Sequence, residues 1–284
     1  MLAPEDIPVK LESGLIEVDA PGGKLPAYLA YPAAATLPLP GVVVVQELWG
    51  VDEHIEDIAG RIAAAGYAAL APDLYARGGE RPPALARERL AAVKRFVDAF
   101  GPSVFRDPLA REAALARKPE DERRPLSESF TLLSVVRGES DALVDLVAAA
   151  ASHLRGGPSR GERVGAVGFC MGGDLVGLLA VTDPGLAAAA AFYGTPPPAD
   201  RLATLSASFE GFYGGPDKDP RVTSTVPAFE KAAREAGRQV ECHIYRDAPH
   251  AFMNDTRPSY HVAAARDAWA RMLGLFAREL AQGR

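Results

Sequence analysis

Short, continuously apolar runs alternate with helical stretches along most of this chain, and that alternation limits its fold more than any other feature. PGVVVVQE (40–47) is apolar almost without interruption and too short for a confident helix, which is how a strand buried on both faces reads. Asp52 can cap a following helix with Ile55, Ile58 and Ile62 on one face and Gly66 at its end. YAALAPDLYARGG (67–79) supplies a second strand that gives way to a loop at Pro72. The pattern returns with a helix over 139–154, a strand over 163–169, a helix over 174–181, and strands over 186–194 and 207–215. A helix over 224–237, a strand over 239–246 and a final helix with Val262, Ala265, Trp269, Met272, Phe276 and Leu280 on one side complete it. Strand, crossover helix, strand is the repeating unit of a mostly parallel sheet flanked by helices, so the fold class is α/β.

Residues 80–138 interrupt the alternation. ERPPALARERLAAVKRF is helical in pattern after its prolines, and RDPLAREAALARKPEDERRP (106–125) is charged, so this stretch reads as a helical insertion outside the sheet. Neither repeats nor a low-complexity tail divide the chain, and one domain over residues 1–284 is the simplest account. A net charge of −6 gives no basic excess for nucleic acid or an anionic membrane. No apolar run approaches the ~20 residues of a membrane-spanning helix. The first residues carry acids and prolines where a secretory signal would be basic and then apolar, and there are only two cysteines, so a reduced cytoplasm is the expected setting.

One of those cysteines lies in GAVGFCMGGD (165–174), where the strand over 163–169 meets the next helix. Gly168-x-Cys170-x-Gly172 is a nucleophile-elbow pattern with Cys in the central place. The flanking glycines let strand and helix approach, and the helix N-terminus favours a thiolate and a developing oxyanion. The same string also suits a buried, inert cysteine, so partners decide between packing and chemistry. A thiol nucleophile needs a base and a group to orient it. His250, in RDAPHAFMND after the last strand, is the one histidine of the five in such a loop. Two acids follow the strand over 207–215. Asp217 is the expected partner because it comes directly after Tyr213-Gly-Gly-Pro, and Asp219, which opens Asp-Pro-Arg-Val, is the alternative.

GFCMGG, QELWG (46–50), APDLYAR (71–77) and PHAFMND (249–255) together resemble the dienelactone hydrolase family, a branch of the α/β-hydrolase fold with a Cys-His-Asp triad. The resemblance covers most of residues 15–282 and is weakest over 80–138. It implies a carboxylic ester hydrolase, a carboxymethylenebutenolidase or related esterase, acting on a small lactone or ester. Cys170 would form an acyl-enzyme, His250 would serve as general base and acid, Asp217 would orient it, and Glu47 would modulate the thiol. The backbone N–H groups of Leu48 and Met171 would form the oxyanion hole. Trp49, Tyr75, Arg77 and Phe252 are candidates for the substrate pocket, and the aromatic residues among them are equally compatible with core positions. Where the family places a carboxylate-binding arginine after the catalytic histidine, this chain has Asn254; Arg77, Arg87 and Arg89 are nearby candidates for a second such arginine.

No metal or other cofactor is implied, and the partner is a small-molecule substrate, with the chain a monomer or homodimer. Three rival classes remain comparable with parts of the sequence. A dinucleotide-binding oxidoreductase would need a G-x-G-x-x-G after the first strong strand, which is absent. A metal hydrolase would draw on Asp52, Glu53, His54, Glu56 and Asp57, which read better as the acidic start of a helix. The last rival is a non-catalytic member of the same fold that binds a ligand or partner.

Overall fold

In the computed structural model, which describes residues 9–280, the apolar runs become the strands of one eight-stranded sheet. An N-terminal hairpin, β1 (Leu11–Ala20) and β2 (Gly23–Pro32), precedes β3 (Gly41–Val45), helix α1 (Glu53–Ala64) and β4 (Ala68–Pro72). The insertion follows as α2 (Arg87–Phe100), α3 (Ser103–Arg106), α4 (Pro108–Leu115) and α5 (Glu120–Arg137). Then come α6 (Ser140–Gly156), β5 (Val164–Phe169), α7 (Met171–Thr182), β6 (Leu186–Phe192) and β7 (Ser208–Gly214). The chain continues through α8 (Pro220–Thr223), α9 (Val226–Glu235), β8 (Val240–Tyr245) and α10 (Val262–Leu280).

Across the sheet the strands lie in the order β1-β2-β4-β3-β5-β6-β7-β8. Pairing is antiparallel at β1/β2 and β2/β4 and parallel from β4 to β8. β3 shows why its sequence has no alternation. Val43 and Val45 join the core shared with α6, α7 and the insertion, while Val42 and Val44 join the core shared with α1 and α10. A strand covered on both faces has no polar side to encode. Asp52 caps α1 as expected, its carboxylate accepting from the Ile55 N–H at 3.2 Å.

The insertion is helical, with its own apolar interior. Leu90, Val93, Phe96 and Val97 of α2 face Leu126, Phe130 and Leu133 of α5, and Phe96 meets the Phe130 ring edge-on at 5.8 Å. The charged segment does not end at Pro125, because α5 runs through it; the Pro125 carbonyl accepts from Arg89 and from the Ser129 hydroxyl. The N-terminal hairpin has no counterpart in the sequence reading. Its turn, Pro21-Gly22 with Gly22 at φ 89°, is a usable signal, but β1 is an edge strand with most side chains in solvent. Among the described residues no helix is long and apolar enough to cross a membrane.

Candidate active site

The loops at the carboxyl ends of β3, β5, β7 and β8 converge on Cys170. This residue sits between β5 and α7 at φ 54°, ψ −114°, a conformation L-residues rarely adopt. The neighbouring glycines are a steric requirement. A Cβ on Gly168 would overlap the Gly172 carbonyl, and one on Gly172 would overlap the Val45 carbonyl at the end of β3. Side chains at either place would therefore push α7 away from the sheet and carry the thiol with it.

His250 occupies the turn after β8, with its Nε2 3.2 Å from Cys170 Sγ. Its Nδ1 lies 2.7 Å from Oδ2 of Asp219, not of Asp217. The reason is the shape of the loop after β7. The Asp219 N–H donates to the Gly215 carbonyl at 2.8 Å, which closes a turn that throws Pro216, Asp217 and Lys218 into solvent and brings Asp219 back beneath the imidazole. Asp219 is buried while Asp217 is exposed. Burial opposes a charge on His250, but the Cys170 thiolate and the Asp219 carboxylate outweigh it and raise the imidazole from 6.5 to about 10. The arrangement favours the charged form of the imidazole.

Glu47 is buried just past β3, but its carboxylate is not bonded to the thiol. Tyr193 donates its hydroxyl to Oε1 at 3.1 Å, and the Asn254 amide donates to Oε2 at 2.7 Å. Asn254 is fixed in turn, its Oδ1 accepting from the Thr256 N–H and hydroxyl. Thus Asn254, which stands where a substrate-binding arginine was sought, instead holds an internal carboxylate. Tyr193 has φ 42° and presents its ring to His250 at 5.1 Å between centroids. Sequence reading missed Tyr193; its place at the carboxyl end of a parallel strand was the available signal.

The segment 46–51 that carries Leu48 is braced from three sides. Gln46 Oε1 accepts from the Leu74 N–H at 3.1 Å, the Tyr75 hydroxyl donates to the Leu48 carbonyl at 2.9 Å, and Arg81 donates to the Val51 carbonyl at 3.1 Å. Arg81 is itself held by Asp73 at 2.6 Å. Tyr75 therefore supports the loop rather than lining the pocket, and burial of its phenol holds it protonated. Arg77 turns outward to pair with Glu139 at 2.6 Å. Arg87 and Arg89 pair with Glu56 and Glu128. Phe252 is fully buried against Tyr193 and Tyr245.

Above the thiol opens a cleft of about 640 Å³, counting its open mouth. Glu47, Leu48, Trp49, Cys170, Met171, His250 and Ala251 form the sheet side of its lining. Val97, Pro102, Phe105, Arg106 and Arg137 come from the insertion, with Arg221 and Arg257 completing the rim. None of these four arginines was singled out in the sequence, because their convergence depends on how the insertion folds back over the sheet.

The acidic start of α1 is engaged elsewhere: Asp52 with Lys94, Glu56 with Arg87 and Asp57 with Arg61. His54, from the same helix start, is buried with its ring edge toward Phe169. Among the described residues, Glu210, Glu241 and His243 approach one another closely enough to share a cation. They lie on β7 and β8 outside the cleft lining, and Glu210 is engaged by Arg278 at 2.7 Å.

The profile of the "Dienelactone hydrolase family" matches residues 25–280. A "Putative carboxymethylenebutenolidase" of Escherichia coli (strain K12) is 35% identical over 275 residues, covering 93% of this chain and 86% of the relative. One of Saccharolobus solfataricus is 31% identical over 261 residues, covering 92% of this chain and 96% of the relative. The fold is similar to the crystal structure of a "Putative Dienelactone Hydrolase" from Klebsiella pneumoniae, with a TM-score of 0.70 and 30% identity over 95% of this chain and 99% of that one. With its eight-stranded sheet flanked by helices, this is an α/β-hydrolase fold. The chain belongs to the dienelactone hydrolase family and is a hydrolase of that kind.

Proposed function

We propose that the protein cleaves a small lactone or carboxylic ester through a thioester on Cys170. The observation that carries this reading is the continuous line from Asp219 through His250 to Cys170, at 2.7 Å and 3.2 Å, below an apolar cleft. The thiolate adds to the substrate carbonyl carbon, and the Leu48 and Met171 N–H groups receive the developing oxyanion. As the tetrahedral intermediate collapses, His250 Nε2 gives its proton to the departing alkoxide, which in a lactone stays tethered to the acyl group. Water then attacks the thioester while His250 takes one of its protons, and the thiolate leaves with the acid product. Asp219 keeps the imidazole oriented and stabilises its charged form throughout.

Glu47 acts on this site without a hydrogen bond to the thiol. Committed to Tyr193 and Asn254, it anchors the start of the loop that bears Leu48 within the cleft wall. The reading is tested by incubating the enzyme with p-nitrophenyl acetate and, separately, with iodoacetamide. Turnover should disappear in proportion to alkylation of Cys170. A protein that binds esters without releasing p-nitrophenol would instead be a ligand-binding member of the fold.

A further inference from the structure

Besides forming one wall of the cleft, the insertion reaches the site by a second route. Helix α2 grips the segment after His250 at two points one turn apart: Asp98 takes the Arg257 guanidinium at 2.5 Å, and Lys94 donates to the Thr256 hydroxyl at 2.9 Å. The Lys94 ammonium also donates to Oδ2 of Asp52 at 3.0 Å, the carboxylate whose other oxygen caps α1. Its side chain is 15% exposed, against 33–75% for Lys24, Lys118 and Lys231, which hold the other lysine ion pairs among the described residues. A lysine sheltered to that degree and tied to two acceptors has a defined position rather than a range of surface rotamers.

From Thr256 the hydrogen bonds run inward without a break. The Thr256 hydroxyl donates to Asn254 Oδ1 at 2.7 Å, and Asn254 Nδ2 donates to Glu47 Oε2 at 2.7 Å. The Thr256 N–H also donates to Asn254 Oδ1, at 3.1 Å, which decides the end of the amide that faces Glu47. The direction of the chain is set at its outer end. An ammonium only donates, so the Thr256 oxygen accepts from Lys94 and its single proton is left for Asn254. Asn254 and Glu47 are buried, whereas Thr256 is exposed. Without Lys94 the Thr256 hydroxyl is free to turn to water, and the buried amide oxygen keeps only the backbone N–H.

We infer that Lys94 is a positioning residue for the oxyanion site: it orients Thr256 and Asn254, which hold Glu47 and with it the start of the loop that carries the Leu48 N–H. The other braces of that loop act through Gln46, the Leu48 carbonyl and the Val51 carbonyl, and leave the Glu47 side chain as its tie to the segment after His250. Lys94 and Thr256 are 162 residues apart in the chain, so the link exists only once α2 has packed over the sheet. The inference rests on the reading of Cys170 and the Leu48 N–H as reacting groups. An oxyanion donor acts on the transition state, so the contribution of Lys94 belongs to kcat rather than KM.

The test is a mutant cycle read in steady-state kinetics with p-nitrophenyl acetate. Lys94→Met keeps the stem and removes the ammonium; it should lower kcat about five- to tenfold with KM within about twofold. Lys94→Arg, which also only donates, should recover at least about half of kcat. In an Asn254→Ala background, Lys94→Met should change kcat by less than about twofold, because the chain it orients is already cut. A role confined to packing α2 would move KM through the cleft wall or act equally in both backgrounds. Unchanged kcat in Lys94→Met, a loss confined to KM, an arginine no better than methionine, or the full loss repeated in Asn254→Ala would overturn the inference. The side-chain amide resonances of Asn254, identified by their absence in Asn254→Ala, read the same link without catalysis. They should shift in Lys94→Met and return toward their original positions in Lys94→Arg; resonances that stay in place would overturn the inference even if turnover fell. If they move as expected in a protein that does not turn over the ester, the hydrolytic reading of the site fails and the positioning of Asn254 by Lys94 stands.

Discussion

The two walls of the cleft are built to different tolerances. On the sheet side the backbone leaves no slack: Gly168, Gly172 and Gly173 lie so close to neighbouring carbonyls that any side chain would displace the elbow, and the Gly173 Cβ would come within 2.8 Å of the Phe192 carbonyl. The insertion wall is held by apolar stripes and ring contacts, with exposed ion pairs such as Arg124–Glu128 on the outside. Packing of that kind spreads a perturbation over many weak contacts. The difference teaches that the groups to which the proposed function gives covalent chemistry are placed by backbone geometry. Groups that meet the rest of a substrate are placed by helices that can vary more freely.

The sharpest break in this contrast comes from the paired acids on the sheet side. Asp219→Asn should lower kcat by about 100- to 10,000-fold, because the imidazole loses its orienting charge, while Asp217→Asn should stay within about twofold. Because the bond to Asp219 helps raise His250 toward about 10, its removal moves the imidazole down. The alkaline limb of the pH–rate profile, where His250 no longer supplies a proton to the leaving group, should then shift to lower pH. The same sign governs stability: the charged pair favours the fold below 6.5, and that contribution fades as pH climbs through about 10. A profile that is identical in Asp219→Asn and the unaltered enzyme would separate Asp219 from the chemistry.

Next in size, Gly172→Ala should destabilise the protein by more than about 3 kcal/mol or prevent folding, measured by denaturant unfolding, since the new methyl would collide with the end of β3. Tolerance of that alanine with full turnover would show that the elbow has room its geometry denies. On the other wall, Leu133→Ala removes a fully buried α5 side chain and should cost about 2–5 kcal/mol, toward the lower value if the insertion helices settle into the gap. A larger cost there than at Gly172 would invert the comparison.

The sheet strands and the elbow were legible in the sequence because burial on both faces and steric need for glycine leave local marks. β3 is one such mark, GFCMGG another. The choice between Asp217 and Asp219 was not legible, since both follow β7 and only the turn closed onto Gly215 decides which carboxylate returns to the imidazole. The hairpin β1/β2 escaped for the opposite reason, its solvent-facing side chains carrying little apolar pattern. Trp49 reaches the cleft, but Tyr75, Arg77 and Phe252 do not. Nearness in sequence to a functional loop does not fix the direction in which a side chain points. Arg106, Arg137 and Arg221 were hidden altogether, because their common destination exists only once α3, α5 and α8 are packed.

The most direct test of the account is to mix the enzyme with a slowly hydrolysed p-nitrophenyl ester, quench in acid during turnover and map the covalent adduct by peptide mass spectrometry. The account predicts the acyl mass on the peptide containing Cys170, and loss of both adduct and turnover in Cys170→Ala that keeps its circular dichroism spectrum. Turnover undiminished in Cys170→Ala, or an acyl group found on another residue, would contradict it.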